Sequence, residues 1–205
     1  MLNSPKIQQS AKTMPKLSEL AASPWRRLSE SEIRRVFGVT SNLLTKLDFV
    51  TDWRLQKAYY LAEVWSIEER LCRLSGADFA SWTHGPWSLH VREDAEILEA
   101  RGALARTKQR AKRRPEAEFL MVVKTEQLAN LGEKDEEFLE SVSEQVKYLS
   151  GEKLTKIAKR TPPYAATKRG QRIDLDVYLE SIKRKHEELA NSSRAATLIA
   201  EAKAE

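Results

Sequence analysis

The sequence predicts a mainly α-helical protein with a small β-hairpin, an α+β fold in which a single compact helical domain contains a winged-helix-like element. Three observations support this fold class. Apolar residues recur at helical spacing in several long segments. One helical segment is followed by two strand-like runs that flank a basic turn, which resembles the second half of a winged helix. Hydrophobic residues make up 41% of the 205 residues, which is enough for one core.

The first helices are expected near the N-terminal third of the chain. Ser29 and Glu32 have the spacing of a capping box, which predicts a short helix that ends at Gly38. A second short helix is expected from Ser41 to Asp48. Thr51 or Asp52 then caps a long central helix through about Leu74, closed by Gly76. The central helix is apolar nearly all round, which is typical of a helix buried among its neighbours. Its main stripe consists of Trp53, Tyr60, Val64, Ile67, Leu71 and Leu74.

The segment from Phe79 to Trp87 cannot be one regular element, because Pro86 disfavours helix at the preceding glycine. Ser88 is expected to cap a helix that runs to Arg101 and stops at Gly102. Two strands are predicted after it, from Ala103 to Lys108 and from Glu118 to Lys124, and they form the hairpin.

The C-terminal part of the chain reads as three further helices. The first is expected from about Lys134 to Leu149, and the second starts at Ser150 and ends at Thr161-Pro162-Pro163. Asp174 caps the last helix, and Asn191-Ser192-Ser193 is expected to interrupt it. This last helix is amphipathic, which favours packing on the core but is also found in helices that bind a groove on a partner.

The chemistry of known catalytic motifs is absent from the sequence, which has no phosphate loop, dinucleotide fingerprint, nucleophile elbow or zinc-protease helix. Asp78, Ser81 and His84 are the residue types of a hydrolase triad, but turn formation is the commoner role of such residues. His84 and His90 are not spaced as a pair of metal ligands. We therefore expect no catalytic residue, no cofactor and no metal, and we interpret the chain as a non-enzymatic protein.

A basic run is the strongest charge feature of the sequence, and the whole chain carries a formal net charge of +5. A positive hairpin tip can contact nucleic-acid phosphates, or it can simply be a solvated loop that protects the hairpin edge from aggregation. The run lies in the predicted hairpin, in its first strand and its turn, and consists of Arg106, Lys108, Arg110, Lys112, Arg113 and Arg114.

The compartment is predicted from what the sequence lacks. Cys72 is the only cysteine, so no intramolecular disulfide can form. No apolar run is long enough to span a bilayer, and the N-terminus does not have the apolar region of a signal peptide. We expect a cytoplasmic protein with no membrane contact.

Several of these segments together resemble a known family. Leu55-Gln56-Lys57-Ala58-Tyr59-Tyr60 resembles the opening of the Panacea domain, a SocA-like family of bacterial and phage antitoxins. Some twenty residues later that family has an aromatic residue before an aromatic-Gly-Pro turn, which is similar to Trp82-Thr83-His84-Gly85-Pro86, with His84 where the family usually has Tyr. Leu98 to Gly102, Leu149 to Leu154 and Gly170 to Ile173 resemble the later motifs of the family.

The resemblance implies an antitoxin that neutralises a co-encoded protein toxin, by direct protein–protein binding or by delivering the toxin to a protease. It also implies a domain organisation. We predict a disordered or weakly helical tail over 1–24, a short helical lead-in over 25–51, a Panacea-like domain over 52–183 and a C-terminal helical extension over 184–205. The alternative function, from the charge and the hairpin alone, is a winged-helix-like DNA-binding regulator.

Two groups of residues are assigned to different roles. Partner binding is expected on variable elements, and the candidates are Arg110, Lys112, Arg113 and Arg114 of the hairpin and Tyr178, Ile182, His186 and Leu189 of the last helix. A structural role is favoured for the motif residues, although tryptophan is also enriched in binding hot spots. These motif residues are Gln56, Lys57, Tyr60, Trp82, His84, Gly85, Pro86 and Trp87.

Overall fold

The structure, a computed structural model, describes residues 25, 27–109, 117–124 and 131–202, and the side chains of the last helix up to residue 192. Helix α1 spans Glu30–Leu47 and begins at the predicted capping box of Ser29 and Glu32. The predicted helix end at Gly38 and the separate helix from Ser41 to Asp48 are wrong, because one helix covers both. Gly38 is buried inside this helix, and the packing of its neighbours on the core outweighs the roughly 1 kcal/mol that glycine costs there.

Helix α2, Asp52–Arg70, is the centre of the molecule, as predicted, and Thr51 is its N-cap. It ends at Leu71, in the left-handed region with φ 55°, rather than near Leu74. The earlier end follows from Glu63, whose buried carboxylate accepts hydrogen bonds from the Leu74 N–H (3.2 Å) and the Ser75 N–H (2.9 Å). The chain therefore turns back along the helix instead of extending it.

Glu63 also makes the most deeply buried ion pair among the described residues. Arg73 Nε lies 2.9 Å from its Oε2, and the same guanidinium bonds the Ala77 carbonyl and Asp176, both at 2.8 Å. A buried charge is tolerated only when it is paired and hydrogen-bonded, and here both conditions are met. This network fixes the loop after α2 and connects it to the last helix.

The first sheet contains the predicted hairpin. Strands β4, Leu104–Gln109, and β5, Ala117–Val122, pair antiparallel, and β1, Phe49–Val50, joins the far side of β5. Helix α3, Leu89–Ala100, precedes the hairpin and is capped by Ser88, so the helix–hairpin succession is confirmed. Strand β1 was not predicted, because two residues carry no periodic signal.

The second sheet is formed by β2, Phe79–Trp82, β3, Gly85–Trp87, and β6, Arg172–Ile173, in the order β3-β2-β6. The prediction that the segment from Phe79 to Trp87 is not one regular element is confirmed, since it is a tight hairpin. β6 pairs with β2 through Phe79 and Ile173, which lie far apart in sequence.

The remaining helices are α4, Glu133–Val146, α5, Gly151–Arg160, α6, Pro162–Ala165, and α7, Leu175–Ala202. The prolines end α5 as predicted, but they also start the short helix α6. The predicted interruption of the last helix at Asn191-Ser192-Ser193 is wrong, because α7 continues through it. Polar residues cost only a few tenths of a kcal/mol each on a helix, too little to break one.

The core lies around α2 and includes side chains from both sheets and from α1, α3, α4 and α5. Helix α1 contributes Val36, Val39, Leu43 and Leu44 to this core, so the predicted lead-in packs as part of the same body. The predicted fold class, mainly helical with a small β-hairpin, is confirmed and extended by the second sheet. Within the described ranges no helix has both the length and the apolar character needed to cross a membrane.

Candidate functional site

The motif residues that the sequence singled out come together around the β2–β3 hairpin. We call Gln56, Lys57, Tyr60, Trp82, His84, Gly85, Pro86 and Trp87 the motif cluster. The Gln56 amide donates to the Ser88 carbonyl (3.0 Å) and accepts from the Ser88 N–H (2.7 Å). Lys57 Nζ donates to the Pro86 carbonyl at 2.6 Å. Two adjacent side chains of α2 thus hold the end of the hairpin and the start of α3.

Lys57 is a fully buried cation. Besides the Pro86 carbonyl, its ammonium lies over the Trp53 ring, 4.0 Å from the ring centroid, where the negative face of the π system attracts it. Burial, together with repulsion from Lys159, lowers the pKa of Lys57 to about 7. The side chain therefore gains and loses its charge near neutral pH, whereas an exposed lysine stays protonated there.

Gly85 is required by the position of Lys57. Its φ is +99°, a conformation that side-chain-bearing residues rarely adopt. A Cβ placed there would also lie 3.1 Å from Lys57 Cε and 3.4 Å from Thr155 Cγ2. The turn can approach the lysine only because this residue has no side chain.

Helix α5 closes the other side of the motif cluster. Trp53 Nε1 donates to Thr155 Oγ1 (3.1 Å), and the His84 ring meets the Trp53 ring edge-on at 5.2 Å between centroids. Lys159 Nζ donates to the Thr83 carbonyl at 2.7 Å. The turn of the hairpin is thus held between α2 and α5.

The remaining members of the motif cluster are also in packed positions. The Tyr60 hydroxyl is 2.8 Å from Thr161 Oγ1, and the Trp82 carbonyl accepts a hydrogen bond from the Tyr164 hydroxyl at 2.7 Å. Trp87 is buried and meets the Trp25 ring edge-on at 5.8 Å. The contacts of the motif cluster therefore hold the hairpin on α2, α5, α6 or the chain before α1.

Sequence reasoning did not identify the residues that complete this cluster from α5 and α6, namely Thr155, Lys159 and Tyr164. A signal was present for two of them, because Thr155 and Lys159 are four residues apart and so lie on one face of a helix. Nothing local indicated that this face meets the β2–β3 turn.

The residues predicted to bind a partner differ in their exposure, and some lie outside the described residues. Arg110, Lys112, Arg113 and Arg114 lie outside the described residues. Tyr178 donates its hydroxyl to Glu68 at 2.6 Å, and Ile182 is partly buried against the core. His186 and Leu189 are exposed, Leu189 at 68%.

The weak enzymatic candidates do not form a shared site. Asp78 accepts a bond from Arg172 at 3.4 Å, and its N–H donates to His90 Nδ1 at 3.2 Å. Ser81 lies inside β2, opposite Pro86, whereas His84 contacts Trp53 at the turn. In the part of the chain that the structure describes, no three His, Cys, Asp or Glu side chains are grouped so that they could hold a metal ion.

The fold and the motif cluster define a helical α+β protein in which a buried lysine joins a tight hairpin to the central helix. This arrangement occurs within the segment 55–164, which matches the family model described as "Antitoxin SocA-like, Panacea domain". The match covers more than half of the chain, and the chain belongs to that family. No curated protein and no solved structure matches it.

The position of Gly85 leads to the first prediction. Gly85→Val should lower the free energy of unfolding by about 1–3 kcal/mol, because it adds a Cβ at positive φ and forces Lys57 aside. Thermal unfolding followed by circular dichroism measures the loss. Gly102→Val is the matched control, because φ is +71° there but no atom lies within 4 Å of the added Cβ. Equal losses in the two variants would show that contact with Lys57 has no energetic role.

The second prediction concerns pH. Lys57 has a pKa of about 7 in the fold and about 10.5 when unfolded, so between these values the unfolded chain binds a proton that the native chain lacks. The free energy of unfolding should therefore increase steadily from about pH 7 to about pH 9.5, by an amount on the order of a few kcal/mol. In Lys57→Met this rise should disappear in urea titrations across the same range.

The control for the pH prediction is Lys156→Met, which removes an exposed lysine from α5. Asp94, whose pKa burial raises to about 7, contributes in the same way to all three proteins and cancels in the comparison. A pH profile of Lys57→Met that parallels the wild type would mean that the ammonium is not desolvated as the structure implies.

Proposed function

We propose that the chain is an antitoxin that neutralises a co-encoded protein toxin by binding it directly. The observation that carries this proposal is the family match over residues 55–164, which contains Lys57, the β2–β3 hairpin and α5. The motif side chains already make contacts within the fold at this joint. Recognition of a toxin then depends on exposed elements outside it, which can change without disturbing the fold.

Helix α7 is one such element. Its first turns pack on the core through Leu179 and Ile182, whereas every described side chain from Arg184 to Ser192 is exposed. His186 and Leu189 continue the apolar stripe into this exposed part. A helix that extends one apolar stripe beyond its own core has the form of a groove ligand.

The basic segment between β4 and β5 is the second element, on the evidence of its sequence. It contains Arg110, Lys112, Arg113 and Arg114 within seven residues that connect the two strands. Clustered positive charge speeds association with an acidic partner more than it increases final affinity. Lys108, the last charged residue of β4, is exposed and adds to this charge.

The DNA-binding alternative is less well supported by α3. In a winged-helix arrangement α3 is the helix before the hairpin, and a helix that reads DNA must approach phosphates. Its exposed positions include Glu93 and Glu96, and Arg92 is paired with Glu96 at 2.7 Å. A face with this excess of carboxylates repels the DNA backbone. In this alternative, only the basic hairpin would contact the nucleic acid.

The third prediction tests the function itself. Expression of the neighbouring gene alone should stop growth of a bacterial host, and co-expression of this chain should restore it. The purified pair should co-elute in size-exclusion chromatography. If no adjacent gene product is toxic, or if rescue occurs without any complex, direct neutralisation is the wrong mechanism.

The fourth prediction concerns α7. A stop codon after Lys183 removes only residues whose described side chains are exposed, so the melting temperature should stay within a few degrees of the wild type. Toxin affinity should fall about tenfold or more, corresponding to about 1.4 kcal/mol. Isothermal titration calorimetry measures it, and a double alanine variant of Lys153 and Lys156 is the control. Full affinity in the truncated chain would exclude the part of α7 beyond Lys183 as a contact.

A further inference from the structure

Positive charge is concentrated in helix α5 and in the loop that leads from α6 to β6. Residues 151–172 contain seven lysines and arginines and one acidic residue, Glu152, and so carry a net charge of +6, whereas the whole chain carries +5. Arg172 is paired with Asp78 at 3.4 Å. The other six cations are all exposed, and we call them the basic band: Lys153, Lys156, Lys159, Arg160, Lys168 and Arg169.

Three members of the basic band form a row on the outer face of α5. Lys153, Lys156 and Arg160 follow one another at steps of three and four residues, so they lie on one side of the helix. The opposite side is buried through Leu154 and Ala158. Like charges at this spacing repel each other and destabilise a helix. Within the described ranges none of the three cations has an ion-pair partner, so the row is unfavourable for α5 itself and suits an external anion.

The β2–β3 turn connects this row to the rest of the basic band. Lys159 Nζ donates to the Thr83 carbonyl at 2.7 Å, which leaves two of its three ammonium hydrogens for another acceptor. The Arg169 guanidinium lies over the half-buried Trp82 ring, 6.0 Å from the ring centroid. Because Trp82 and Thr83 are adjacent, cations from α5 and from the α6–β6 loop meet at one turn, next to an aromatic ring.

The composition of this surface favours a nucleic-acid strand over a protein or a membrane. Lysine is depleted in protein interfaces but contacts phosphates readily. Within α5, which the structure describes in full, the exposed apolar side chain is Ile157 at 37%. This is too little for the apolar centre of a protein interface or the apolar face of a membrane-surface helix. Cations beside an accessible aromatic ring are the combination that binds single strands, in which phosphates contact the charges and a base stacks on the ring.

We propose that the basic band is a binding surface for single-stranded nucleic acid. Lys153, Lys156 and Arg160 contact phosphates along α5, and a base stacks at Trp82 beside Arg169, whose guanidinium plane also stacks on bases. This surface is separate from the winged-helix alternative, because it uses neither α3 nor the β4–β5 hairpin. It also goes beyond the proposed function, since binding of a strand requires no toxin.

The first test compares two triple variants that remove the same number of charges. Lys153→Gln with Lys156→Gln and Arg160→Gln neutralises the row on α5 with residues that are good helix formers. The control removes three exposed cations from α1, α4 and α7, namely Arg34→Gln, Lys134→Gln and Lys185→Gln. The probe is a fluorescein-labelled oligothymidylate strand, with affinity measured by fluorescence anisotropy at several salt concentrations.

The α5 variant should bind the strand at least about tenfold more weakly at low salt, whereas the control should stay close to the wild type. The slope of log K against log salt should also flatten by about 2 in the α5 variant, because each lost phosphate contact removes about 0.7. A charge-preserving variant, Lys153→Arg with Lys156→Arg, should bind as the wild type does. Wild-type affinity and slope in a folded α5 variant would overturn the proposal, and so would a wild type that does not bind the strand at low salt.

The second test separates nucleic acid from other polyanions. An abasic strand of the same length has the phosphates but no base to stack on Trp82, so it should bind severalfold more weakly. Equal affinity for the two strands would show that the basic band binds polyanions without regard to bases, and the assignment to nucleic acid would be wrong. If the α5 variant instead loses affinity for the toxin and keeps it for the strand, the basic band is a protein contact, and this proposal fails while the proposed function stands.

Discussion

The structure depends on one buried contact, the hydrogen bond from the Lys57 ammonium to the Pro86 carbonyl. Removing an ammonium from water costs several kcal/mol, and this cost must be offset by groups placed around it. The carbonyl, at 2.6 Å, and the face of Trp53 offset part of that cost, and the lowered pKa of Lys57, about 7, reflects the part that is not offset. Because the carbonyl belongs to a turn, the lysine can be satisfied only when the β2–β3 hairpin is docked on α2.

This constraint explains the neighbouring residues. Gly85 allows the turn to approach the lysine, and Thr155 binds Trp53 so that the ring stays over the ammonium. Gln56 is hydrogen-bonded to Ser88, the residue directly after the hairpin, and Ser88 in turn caps α3. The start of α3, and through it the position of the β4–β5 hairpin, therefore follows from the docking of the β2–β3 turn. Exposed elements outside this joint can vary without disturbing it.

The sequence was sufficient for those parts of the fold that have a local signal. The capping box of Ser29, the apolar stripe of α2 and the strand-like run at Phe119 each predict an element that is present. The helix end predicted at Gly38 was wrong, because tertiary packing outweighed the low helix propensity of glycine. The end of α2 was misplaced because it is set by the buried carboxylate of Glu63, whose partners lie in the following loop.

The candidate site was predictable only in part. The motif residues were identified by resemblance, but their partners on α5 and the pairing of β6 with β2 depend on contacts between distant segments. The stacking of Phe49 on Phe119 was not predicted, because the two-residue strand β1 that brings the two rings together has no periodic pattern. Short strands that complete a sheet are determined by the sheet itself rather than by their own sequence.

The central claim is that the motif cluster holds the fold while exposed elements bind the toxin. Hydrogen–deuterium exchange of the chain, alone and in complex with the purified toxin, tests it most directly. The account predicts slower exchange in β5 and in the part of α7 beyond Lys183, with the β2–β3 hairpin unchanged. Protection centred on the turn from Trp82 to Trp87, with none in β5 or α7, would contradict it.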